Sequence, residues 1–224
     1  MVWSDLFYPE NPKRRERLIR KSQQFFHLIE DNFNATNDLI EVVNKHLKLS
    51  LGRVTLNESA TVKDNCNVLI QRIREIQAEI WKIDNKLKIK LDPALYEELK
   101  NMNLYVPLSM ATHTQIAKIA IGAGGMVTTA AVCWLIKSEM ILASVTTQIG
   151  AIASTSIGAV VLGVVFLGVG MIVEAILGSI ERDQLESALK EYDEALEEFR
   201  PASKQYQKSI MEVRLRIELI KEYV

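Results

Sequence analysis

The chain has 224 residues, 25% charged and 48% hydrophobic, with a formal net charge of −1. That balance excludes an intrinsically disordered chain and provides no global field for nucleic acid, and two cysteines, Cys66 and Cys133, are too few for a disulfide framework. The averages hide an uneven distribution: the long stretch from Ile119 to Val173 contains only Lys137 and Glu139, and every other charge lies outside it.

The N-terminus is an aromatic arm of Trp3, Phe7 and Tyr8 with Pro9 close behind. It contains no apolar core of a secretory leader, so no cleavable signal is expected. Asn11-Pro12 reads as a helix start, with Asn receiving the first free amides and Pro in the first turn. The helix runs to about Leu49 on an apolar stripe of Leu18, Phe25, Ile29, Phe33, Thr36, Ile40, Val43 and Leu47. Gly52 is expected to make the turn.

A second helix starts at Thr61, where Asp64 stands in the place of the Glu or Gln of a capping box. Its seam, Val62, Cys66, Leu69, Ile73, Ile76, Ile80, Ile83 and Leu87, alternates steps of four and three, an a/d heptad pattern that must be buried against another helix. Asp92-Pro93 repeats the cap signal and opens a short helix over 93–103, ended by Pro107. Near the C-terminus, Leu185, Leu189, Tyr192, Leu196 and Phe199 keep the same spacing. Pro201 should break or kink that helix, and Tyr206, Ile210, Val213, Ile217, Ile220 and Val224 resume it.

Between the helices lie two charge-free runs, Ile119–Ile136 and Met140–Val173. As helices they would measure about 27 and 51 Å, against roughly 20 residues for a bilayer core. The stretch 152–173 is the expected transmembrane segment. Lys137, Ser138 and Glu139 would be the polar tip of a hairpin. Nine of the ten glycines fall at 122–178. Gly150, Ser154 and Gly158, followed by Gly163, Phe166 and Gly170, give the segment a small-residue packing face. The alternative is an apolar hairpin buried inside a soluble bundle.

Lys13, Arg14, Arg15, Arg17, Arg20 and Lys21 form a basic patch interrupted among charged residues only by Glu16. Two readings stay open for it, a solvated helix face and a contact for anionic lipid headgroups. Two glycosylation sequons, at Asn34 and Asn57, read as unused, since Thr36 lies on an apolar stripe. His27, His46 and His113 have no partner at metal-ligand spacing, and no nucleophile or phosphate-loop motif is present, so no catalytic residue, metal or cofactor is expected. The basic residues flanking the insert, Lys100 and Lys118 before it and Arg182 and Lys190 after, are balanced and set no topology.

The run Tyr8-Pro9-Glu10-Asn11-Pro12-Lys13-Arg14-Arg15-Glu16 resembles the opening of the vertebrate single-pass membrane and coiled-coil domain-containing protein 3 family. Gln148-Ile149-Gly150-Ala151, Ser156-Ile157-Gly158 and Ala175-Ile176-Leu177-Gly178 resemble it too. The likeness covers most of the chain and is least over 104–147. It implies one membrane span with coiled coil, and no active-site residue. In plan only, long helices around an apolar hairpin also resemble helical pore-forming cytolysins and the apolipoprotein L family.

The sequence thus reads as all-α: amphipathic helices at 12–49, 61–91 and 180–223 in an antiparallel bundle around or beside an apolar hairpin. The expected parts are N-terminal helices (1–107), the Gly-rich hairpin (108–178) and C-terminal helices (179–224), together one folded unit. The expected function is a non-enzymatic, membrane-associated protein acting through helix–helix association and insertion into an intracellular or plasma membrane. The lipid bilayer, a second copy or partner helices are its expected partners, with no nucleic acid or small-molecule substrate. The alternatives are a conditional pore former with a sequestered hairpin and a soluble coiled-coil scaffold.

Overall fold

Three long helices carry the fold: α1 (Asn11–Leu47), α2 (Val62–Lys90) and α3 (Ser179–Glu222). The computed structural model describes residues 8–94, 96–97, 129–130, 132–134, 136, 146–147, 149–151, 153–154, 158 and 179–222, with backbone only at 179–181 and 216–222. The fold is all-α, and the described residues contain no sheet.

Local chemistry sets the helix ends. The α1 chain is already turning before Pro12, since Asn11 N donates to Tyr8 O and Arg14 N to Glu10 O, both at 3.0 Å. Its exit differs from expectation. Lys48, with φ 55°, takes the left-handed position after Leu47, a conformation that costs a non-glycine residue about 1–2 kcal/mol. Gly52 is not left-handed, and a methyl group there would meet nothing within 4 Å. What ties the loop down is two asparagine amides. Asn44 donates to Leu51 O at 2.9 Å and accepts from Leu51 N at 2.8 Å. Asn65 likewise donates to Asn57 O and accepts from Asn57 N, both at 2.9 Å.

The α2 start bears out the capping box with Asp in it. Asp64 N donates to Thr61 Oγ1 at 3.0 Å, and the Thr61 hydroxyl returns a bond to Asp64 Oδ2 at 2.7 Å. Asp92 caps the next turn through Ala94 N at 2.9 Å. The expected helix over 93–103 is seen at 93–94 and 96–97, and its remainder lies outside the described residues.

All eight residues of the α1 stripe are buried, as are seven of the eight on α2, Ile83 being half-buried. Pro201 does not break α3, which is continuous from Ser179 to Glu222. Pro201 and Glu197, four residues before it, are both exposed, so the carbonyl deprived of its donor has water available.

The chain divides into two compact units, Met1–Asn34, Val54–Ile70 and Val145–Gln205 in the first, and Ala35–Arg53, Gln71–Ser144 and Tyr206–Val224 in the second. In the first, Phe25 packs edge-on against Tyr192 at 6.2 Å and tilted against Phe199 at 5.3 Å. Around this aromatic core Arg14 pairs with Glu186 at 2.8 Å, Lys21 with Asp193, Arg200 donates to Gln24 at 2.9 Å, and buried Ser203 donates to Asn32 at 2.8 Å. In the second, the buried Thr36 and Tyr206 hydroxyls share a hydrogen bond of 2.8 Å and Arg214 meets Asp38 at 3.0 Å.

In each unit the partner numbers on α1 and α3 rise together. The two helices are therefore parallel, as the first and third helices of an antiparallel up-down-up bundle must be. Charge favours the same sense. Lys13 to Lys21 on α1 are mostly basic, whereas α3 from Glu181 to Glu198 is mostly acidic. An antiparallel α3 would bring Lys208, Arg214 and Arg216 toward that basic stretch. The long connection between α1 and α3 makes the parallel return possible.

Burial pushes the Tyr206 phenol well above its ordinary value, partly offset by the bond to Thr36, and also raises Tyr192. A phenol held protonated in the fold stabilises it fully below the unfolded pKa near 10, and that contribution is lost as pH rises toward the folded pKa. Urea-unfolding free energy is therefore expected to fall above about pH 10, by about 1.4 kcal/mol per pH unit per buried phenol. Tyr206→Phe should remove one phenol's share of the slope. The packing direction has its own check in a double-mutant cycle. Lys21→Asp and Asp193→Lys should each cost about 1 kcal/mol, and the swapped pair should recover most of the sum. Simple additivity would show that the contact does not couple the helices.

Candidate functional site

The six basic residues near the start of α1 are the leading candidate contact surface, and four are committed to carboxylates. Lys13 pairs with Glu10 at 3.0 Å, Arg20 with Glu16 at 2.5 Å, Arg14 with Glu186 at 2.8 Å and Lys21 with Asp193. Arg15 also has a partner. Arg17 is exposed. The patch is thus largely ion-paired, with Arg14 and Lys21 tied to α3 while the Lys13 and Arg20 side chains stay 71% and 70% exposed. Lys21 and Asp193, with Gln24, Leu196, Glu197, Arg200 and Pro201, line an open groove of about 520 Å³ in the first unit.

The small-residue face is only partly described. Gly150 is half-buried, and a methyl group there would find nothing nearer than Ile70 Cδ1 at 4.0 Å, so no tight approach demands glycine. Ser154 is exposed and returns its hydroxyl to Gly150 O at 2.9 Å, while Gly158 is buried. Gly163, Phe166 and Gly170 lie outside the described residues, as do the expected tip Lys137, Ser138 and Glu139 and most of 152–173. Among the described residues no helix is long and apolar enough to cross a membrane, and no group of His, Cys, Asp and Glu is placed to hold a metal. Cys66 and Cys133 are buried free thiols, and burial raises the Cys66 pKa to about 12, where it stays protonated and inert.

The most organised polar constellation carries no sequence motif and lies in the second unit. Asp84 on α2 is 3% exposed, and its Oδ1 accepts from both Tyr96 Oη and Trp134 Nε1 at 3.0 Å. The two rings meet edge-to-face at 5.3 Å. Burial, followed by the bond to Asp84, raises the Tyr96 phenol. The arrangement follows from the seam: beyond Ile80 the buried position passes to Asp84 instead of Ile83, which is half-buried, before returning to Leu87. Three residues distant in sequence thereby pin the first apolar run to α2. The available signal is Trp134 inside that run, whose indole N–H needs an acceptor when buried.

Residues 14–172 match a family model described as "Protein of unknown function (DUF4533)". The chain belongs to that family. The DUF4533 segment contains nearly all of α1, all of α2 and the three residues of the Asp84 clasp, and it ends before α3 begins at Ser179. A mouse protein, "Uncharacterized protein C12orf60 homolog", is 32% identical over 68 residues, covering 30% of this chain and 28% of that protein. No solved structure matches.

Removing the shared acceptor is the sharpest probe of the clasp. Asp84→Ala should destabilise the protein by about 3 kcal/mol, because two buried donors lose their partner. Asp84→Asn, which keeps a carbonyl, should cost less. Urea unfolding measures both, and the Trp134 emission should shift in the alanine variant.

Proposed function

We propose that this is a non-enzymatic helical scaffold that acts through helix–helix association and keeps its apolar segment folded against its own chain. The observation that carries this reading is the inward placement of the described part of that segment. Ala130, Val132 and Cys133 are fully buried, and Trp134, Ile136 and Ile149 nearly so. A segment resting in lipid would have no use for a buried carboxylate holding its indole. The described amphipathic stripes of α1, α2 and α3 are likewise occupied, and the Asp84 clasp serves as anchorage. Because those seams are filled, self-association or a partner helix would use exposed apolar residues outside them, such as Val68, Met211 and Leu215.

A second reading, conditional insertion of 152–173 as a span or pore element, is favoured by one observation. The charge-free run Met140–Val173 is longer than a single bilayer crossing needs and longer than a buried hairpin arm needs. It also agrees with the likeness to the single-pass membrane and coiled-coil family. Dye-loaded liposomes separate the two. The full chain, purified without detergent, is expected to release no dye at neutral or acidic pH and to leave cell membranes on carbonate extraction. Dye release, or a carbonate-resistant pool, would overturn the scaffold reading in favour of insertion.

A further inference from the structure

The C-terminal half of α2 has an outer face that neither its seam nor the Asp84 clasp uses. Ile89 on it is 84% exposed, and Trp81, which has a contact of its own, is 56% exposed. Lys86, Lys88 and Lys90 are exposed around them, and none forms an ion pair with a described residue. The nearby acids are already engaged. Glu75 pairs with Arg72 at 3.3 Å, Glu79 with Lys82 at 2.6 Å, Asp84 is buried beneath Tyr96 and Trp134, Asp92 just past Lys90 caps Ala94 N at 2.9 Å, and exposed Glu97 has a partner of its own. The charge left over at this end of the helix is positive.

Lysines in a last turn complement the helix dipole, which accounts for Lys88 and Lys90. It does not account for an isoleucine almost wholly in water between them, on the same half of the helix as an exposed tryptophan. Apolar side chains flanked by lysines suit a planar boundary with greasy depth and anionic surface. The rings and methyls enter the headgroup layer while the ammonium groups, on flexible stems, reach the phosphates. Nucleic acid would use the lysines and leave Ile89 idle.

We propose that the C-terminal end of α2, Trp81 to Lys90, docks on an anionic lipid surface. Ile89 enters the interface, the exposed edge of Trp81 lies against it, and Lys86, Lys88 and Lys90 neutralise headgroups. This is surface contact without insertion, separate from the scaffold reading. It assigns lipid contact to α2 in place of the ion-paired residues at the start of α1.

The test is sedimentation of the purified full chain with vesicles of phosphatidylcholine mixed with phosphatidylserine, against phosphatidylcholine alone. The chain should bind the mixed vesicles only, reversibly with salt and without dye release. Replacing Lys86, Lys88 and Lys90 together by Gln should weaken binding about a hundredfold, roughly fivefold per lysine. Ile89→Gln should weaken it about tenfold or more. Circular dichroism should be unchanged in both variants, because the altered side chains are exposed. Failure of the wild-type chain to bind, or binding that survives both variants, would overturn the proposal. So would binding that ignores Ile89→Gln and is matched by a DNA duplex, which would identify a general polyanion surface.

Discussion

Charge-matched parallel packing of α1 on α3 is the constraint on which the rest of the structure depends. In the first unit the basic start of α1 lies against acidic α3, through Arg14–Glu186 and Lys21–Asp193. In the second the signs are reversed, with Asp38 on α1 against Arg214 on α3. Each such pair contributes little on its own, typically below about 1 kcal/mol at a partly exposed site. Their value lies in discrimination, because reversing α3 would set like charges against each other. The buried polar pairs then fix the alignment more finely. Asn32–Ser203 in the first unit and Thr36–Tyr206 in the second would each lose a partner in a shifted register, at about 1–3 kcal/mol per orphaned group.

Parallel helices cannot be joined by a tight turn, so the connections carry structural work. The Asn44 and Asn65 amides stitch the segment between α1 and α2 to the helix ends on either side of it. The far longer connection to α3 contains the apolar segment, and the Asp84 clasp holds part of it to α2. The carboxylate, two neutral donors and an edge-to-face ring pair give that attachment direction as well as strength, which apolar packing alone would not. The same packing changes the meaning of the N-terminal cations. They oppose the dipole at the start of α1 and find compensation in the acids beside them.

Much of the fold is legible in the sequence. The stripes of α1, α2 and α3 mark the helices and their buried faces, and Thr61 with Asp64 marks the start of α2 to within one residue. Direction is not legible in the stripes, because hydrophobic periodicity identifies a buried face but not the sense of its partner. The signal for it is in the charges: α1 passes from basic to acidic and α3 from acidic to basic. Asp84 escapes a strict heptad, which assigns the position to Ile83, and an acid one residue away reads as solvent-facing. Lys48 escapes because a left-handed exit is ordinarily sought at glycine. Pro201 reads as a break or a kink, yet α3 continues through it with the proline on a wet face, where water can meet the carbonyl left without a donor. For the candidate site, composition locates the cations of α1, whereas their carboxylate partners on α3 lie near the other end of the chain and are visible only in the fold.

Pulsed electron–electron spin resonance on the first unit tests the helix direction most directly. Nitroxides would be placed on exposed Arg17 of α1 and on α3 at either Lys190 or Lys204, after replacing Cys66 and Cys133 with Ala. Parallel packing is expected to give the shorter distance for 17–190, with 17–204 longer by roughly 10–15 Å, because about 21 Å of helix rise separates the two α3 labels. A 17–204 distance shorter than 17–190 would show that α3 runs the other way and would contradict the charge-matched arrangement.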